Sequence, residues 1–123
     1  MFEQDYIMRQ IRQLAKMVAK FFFNIESPTI TEELEDRLSE NETGILRTLI
    51  EMIDAGDICK AEDMLFEIVE AKENGYIETA LLFYDHLDSK SDEFLLLNNF
   101  SREEVLEGLR EVVKTLGLDD VFA

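Results

Sequence analysis

An all-α fold is predicted by three observations. The 123 residues include only one proline and five glycines, too few of the breaks that all-β folds need, while 46% hydrophobic and 33% charged residues keep the chain out of the disordered class. Apolar side chains recur at three- and four-residue spacing along most of the chain, the period of one helix face. Three Ser/Thr-x-x-Glu sequences, Thr29 with Glu32, Ser39 with Glu42 and Ser101 with Glu104, read as capping boxes that open helices. One core can be buried at this length and two ordinary domains cannot, so residues 1–123 are expected to form a single domain of about six helices.

The first helix is expected from about Asp5 to Phe23, within an amphipathic segment 1–25. Ile7, Ile11, Leu14, Val18, Phe21 and Ile25 alternate four and three apart and line one seam, while Arg9, Arg12, Lys16 and Lys20 gather on the opposite side. Ser27-Pro28 stops it, because the residue before proline avoids the α conformation. Residues 29–55 hold two helices. One is short, Ile30 to Leu38, with Ile30, Leu34 and Leu38 as its ridge, and the other runs from Asn41 to Asp54. Ala55-Gly56-Asp57 makes a turn with Asp57 as the next N-cap, and the following helix ends at Asn74-Gly75. Residues 57–117 contain the remaining helices, including Tyr76 to Ser89 and a last one between Ser101 and Gly117.

Shifting the chain by 31 places lays Gly44 to Asp57 on Gly75 to Asp88, with Gly44/Gly75, Thr48/Thr79, Asp54/Asp85 and Asp57/Asp88 coinciding. Two degenerate helical hairpins explain this, with about ten extra residues inserted from Lys90 to Phe100. A helix–turn–helix period in the thirties, with Ala55-Gly56-Asp57 followed by Ala61 and Leu65-Phe66, resembles the tetratricopeptide repeat over residues 44–117. The Trp-Leu-Gly-Tyr part of that repeat's first helix and its closing proline are missing. The opening sequence from Asp5 to Phe23 (DYIMRQIRQLAKMVAKFFF) resembles that of a family of short, acidic, uncharacterised proteins of Gram-positive bacteria. That resemblance implies a bacterial source and no known activity.

Charge narrows the partners. The formal net charge is −16, yet residues 1–23 carry four cations against Glu3 and Asp5, a net +2, so the remainder carries −18. Such a body repels nucleic acid and anionic lipid, since each phosphate contact needs a cation to replace a counterion. The single cysteine, Cys59, forms no internal disulfide, no secretory leader pattern opens the sequence, and no run approaches 18 apolar residues. A cytoplasmic protein without a transmembrane segment is expected.

Catalytic chemistry finds little material. His86, the only histidine, reads as a partly exposed surface residue, and Cys59 as a small buried or half-buried one. An EF-hand starting at Asp88 fails at Lys90, Glu93 and Asn99. Glu67-x-x-Glu70 followed by Asp85-x-x-Asp88 looks like the acidic pairs of the all-α nucleotide pyrophosphohydrolases, which implies Mg²⁺ held over a phosphate. Against it, Ile58, Ala61, Met64, Leu65, Ile68 and Val69 form the packing face of their helix and put Glu67, Glu70 and Asp63 on the solvated side. No catalytic, cofactor-binding or metal residue is therefore assigned, and no cofactor is expected.

Interaction is the better reading. The seam Ile7, Ile11, Leu14, Val18, Phe21 with Phe22 is a candidate for packing on its own domain and for self-association into a homodimer, although it spans under three heptads. As a membrane-surface helix its four cations would contribute roughly 1 kcal/mol each, opposed by the acidic remainder. Arg9, Arg12, Lys16 and Lys20 are a candidate docking strip for an acidic protein surface. Phe94, Leu95, Leu96 and Leu97 in the insert are expected to tuck beneath the helices or to meet a partner. The expected function is a non-catalytic interaction module or scaffold.

Overall fold

The helix at the centre of the fold is the one buried on nearly every side. The computed structural model describes residues 2–26 and 28–118. Over these residues the protein is all-helical: α1 (Phe2–Phe23), α2 (Ile30–Arg37), α3 (Glu40–Asp54), α4 (Ile58–Glu70), α5 (Tyr76–Asp88), α6 (Asp92–Leu97) and α7 (Arg102–Thr115). In α5 the consecutive residues Thr79 to Tyr84, then Leu87 and Asp88, are all buried. A helix apolar all round has to sit inside others, and α5 touches α1, α2, α3, α4 and α7. The first and last helices, α1 and α7, also pack on each other. The core runs through all seven, from Ile11 through Leu49, Leu65, Phe83 and Leu95 to Leu109 and Leu118.

Local sequence accounts for most boundaries. Ser39 and Glu42 form the full capping box, the Ser39 hydroxyl accepting from the Glu42 N–H at 3.2 Å and the Glu42 carboxylate from the Ser39 N–H at 3.2 Å. Ser101 accepts from the Glu104 N–H at 3.2 Å, but its hydroxyl donates to the Glu104 carboxylate. Thr29 makes no cap bond. Its hydroxyl instead donates to Glu33 at 2.8 Å, because the Thr29 backbone (φ −92°, ψ 16°) lacks the extended geometry a cap needs. Asp57 likewise starts α4 without a side-chain cap.

The helix ends differ from expectation in two places. Asn24, in the left-handed region at φ 55°, turns the chain after Phe23, ahead of Pro28; Ser27 lies outside the described residues. At the end of α4 the left-handed residue is Lys72 (φ 52°), with the Glu73 N–H returning to the Ile68 carbonyl at 3.2 Å. Gly75 is thereby released to begin α5 (φ 76°), where any Cβ would come within 2.6 Å of Glu42 Oε1 and 3.0 Å of Leu38 Cδ2. The glycine is needed where α5 passes the α2–α3 corner. Within the insert, α6 is a helix of its own, opened by the Ser91 hydroxyl accepting from the Phe94 N–H at 3.0 Å.

Candidate functional site

Helix α1 divides into three sides. Ile11, Val18 and Ala19 are buried, with Ile7, Leu14 and Phe22 half-buried beside them. The buried stripe centres on the line through Ile11, Ala15, Val18 and Phe22, so Phe21, expected on the seam, lies about 100° round the helix and is 58% exposed, edge-on to Phe22 at 5.3 Å. Tyr6 and Met17 share that outer flank, 60% and 43% exposed. Ile11 and Val18 are consumed by the chain's own core, and the flank is the apolar part of α1 that another molecule can reach.

The basic side stands where the spacing placed it. Arg9, Arg12, Lys16 and Lys20 are all exposed. Lys20 pairs with Glu26, whose carboxyl it holds below the usual range by hydrogen bond and charge, and Arg12 Nε lies 3.7 Å from Asp88 Oδ2. Beneath Arg12 and Lys16 a groove of about 190 Å³ opens between α1, α2 and α5. Ala15, Ile30, Leu34 and Leu81 give it an apolar floor, and Thr31 and Asp85 stand at its edge.

In the insert the four apolar residues part company. Leu95 is 1% exposed and Phe94 is half-buried with Lys90 Nζ 4.8 Å above its ring, whereas Leu96 and Leu97 are 70% and 77% exposed. A helical turn cannot send four consecutive side chains the same way. The support beneath them is rigid. The Asn98 amide donates to the Phe94 carbonyl at 2.8 Å, and Phe100 is buried. Arg102, its side chain 2% exposed, donates to the Asp88 carbonyl and the Lys90 carbonyl at 2.8 Å each, to Asp88 Oδ1 at 3.2 Å and to Asp92 Oδ1 at 2.7 Å. Burial pushes the Asp88 carboxyl above its ordinary value, and Arg102 and then Arg12 pull it back. This clamp was not foreseen. An arginine in a first helical turn carries no sign in sequence that three segments will close over it.

The four acids of the phosphohydrolase reading are placed separately. Glu67 and Glu70 are exposed on α4 and Asp85 on α5, while Asp88 is turned to Arg102. Among the described residues no group of three or more His, Cys, Asp or Glu side chains is placed to hold a metal ion. His86 Nε2 lies 2.7 Å from Asp54 Oδ1, which Lys90 Nζ also meets at 2.6 Å; the bonds from Lys90 and then His86 lower the Asp54 carboxyl. Cys59 is exposed rather than half-buried, since Ile58 and Ala61 take the inward positions of the first turn of α4. Deeper in, the Tyr84 hydroxyl donates to Glu62 Oε2 at 2.7 Å. Burial raises both groups, and the Tyr84 bond draws Glu62 back down. Among the described residues no helix is long and apolar enough to cross a membrane.

Residues 1–117 match a protein family described as a family of unknown function (DUF6483), and the chain belongs to it. Comparison with curated proteins found no match. Comparison with solved structures found none either.

Proposed function

We propose that this member of the family is a non-catalytic protein–protein interaction module, cytoplasmic and self-associating. The observation that carries the reading is the Leu96–Leu97 pair, 70% and 77% exposed on a helix that Arg102, Ser91 and Asn98 hold in place. Adjacent leucines left in water on a rigid support cost solubility unless a partner covers them, and such side chains anchor interfaces. The exposed strip Arg9, Arg12, Lys16 and Lys20 supports an acidic partner surface, and a second copy with its net charge of −16 supplies one. Tyr6 and Met17 on the outer flank of α1 supply further apolar area. A single domain is supported by the continuous core from Ile11 to Leu118, and tetratricopeptide-like hairpins by the packing of α3 on α4 and α5 on α7.

Sedimentation equilibrium across the micromolar range tests the reading. The weight-average mass should climb with concentration from 14.3 kDa toward at least twice that value. A mass fixed at 14.3 kDa overturns self-association.

A further inference from the structure

We infer that α6 of one chain seats Leu96 and Leu97 in the α1–α2–α5 groove of a second copy, so that self-association is head-to-tail. The inference rests on the self-association reading above and specifies its contact. Size comes first. Pockets for metabolite-sized ligands run to roughly 300–1,000 Å³, whereas a cavity of about 150 Å³ takes a single benzene ring. At about 190 Å³ the groove has room for one or two aliphatic side chains.

Chemistry selects which side chains. The floor of Ala15, Ile30, Leu34 and Leu81 asks for an apolar group, and at the rim, where Arg12 lies 3.7 Å from Asp88 and Asp85 adds a negative charge, Lys16 is the cation that asks for a carboxylate next to it. On α6, Glu93 is exposed and lies three and four residues before Leu96 and Leu97, the spacing that puts side chains on one face. Asp92 is engaged by Arg102 at 2.7 Å, which leaves Glu93 as the carboxylate that can meet Lys16. Both leucines are exposed, so they do not occupy the groove of their own chain. Two different patches that fit each other make a heterologous contact, which repeats from copy to copy.

Two surface variants test this, each checked for native far-UV circular dichroism and urea midpoint. One is Leu96→Asp with Leu97→Asp, which removes the anchor. The other is Lys16→Glu with Thr31→Trp, exposed positions that reverse the rim charge and cover the groove mouth. Each alone should lose self-association at least about tenfold, the scale of an interface anchor. Mixed one to one, they should form a complex of twice 14.3 kDa and nothing larger, because one chain keeps only its groove and the other only its leucines. A leucine variant that associates as tightly as the unaltered protein overturns the inference and leaves self-association through α1 standing. A mixture that stays at 14.3 kDa while the unaltered protein associates also overturns it. If the unaltered protein itself stays monomeric, both readings fall together.

Discussion

Replacing Arg102 with alanine should destabilise the fold by about 3–5 kcal/mol, the cost of leaving one member of a buried ion pair without the other. The side chain is 2% exposed and Asp88 beside it 7%, so water cannot take over the bonds to Asp88, whereas Asp92, 49% exposed, stays hydrated. Removal strips donors from the carbonyls of Asp88 and Lys90 and from both Asp88 and Asp92. Against a total stability of roughly 5–15 kcal/mol this is a large share. The loss should also depend on pH. Burial already raises the Asp88 carboxyl above its ordinary 3.8, and without Arg102 only Arg12 is left to oppose that rise. The folded variant then binds a proton more readily than the unfolded chain, so its stability falls as pH climbs from the ordinary carboxylate range through the raised one. Urea unfolding followed by circular dichroism at pH 7 and pH 4.5 measures both effects. The deficit relative to the unaltered protein should be larger at pH 7, and Asp88→Asn in the same chain should recover part of it there. A loss under about 1 kcal/mol, or an equal deficit at the two pH values, refutes the account of Arg102 as a clamp on a buried carboxylate.

Tyr84→Phe removes the hydrogen bond that the Tyr84 hydroxyl donates to Glu62 and should cost about 1–3 kcal/mol by urea unfolding at pH 7. Glu62 is raised by burial and held back by this bond, so the cost should shrink as the pH is lowered and the carboxyl becomes protonated. Gly108→Ala should destabilise despite the better helix propensity of alanine. Its Cβ would lie 2.4 Å from the Tyr84 hydroxyl and 2.8 Å from Tyr84 Cε1, and the buried ring has nowhere to go; a lowered melting temperature checks this. Ser39→Ala should cost about 1 kcal/mol and Thr29→Ala markedly less in the same thermal melts, since only Ser39 caps its helix.

Much of the fold was legible because helix signals are local. The Ser39 box and the start of α7 at Ser101 depend on residues within a turn or two of one another, and the structure keeps them; on α4 it buries Ile58, Ala61, Leu65 and Val69 as the spacing predicts but leaves Met64, expected on the same face, 37% exposed at the edge of that stripe. The failures are also physical. Thr29 and Asp57 carry the right atoms in the wrong backbone geometry, and Lys72 takes the left-handed position because Gly75 is wanted at the α2–α3 corner. On the surface, the identity of the basic strip on α1 was readable from spacing. The groove beneath it was not, because its floor joins Ala15 to Ile30, Leu34 and Leu81 from three helices.

The sequence by itself determined that the chain is helical, where most helices begin, and that a basic side of α1 fronts an acidic remainder, since period, caps and charge are properties of neighbouring residues. Tertiary structure alone decided that α5 is the central helix, that Phe21 lies off the buried stripe, and that Leu95 goes inward while Leu96 and Leu97 face water. Those outcomes depend on which surfaces meet across long stretches of chain. A buried arginine reaching from α7 to the end of α5 fixes the last of them, and no local pattern encodes that reach.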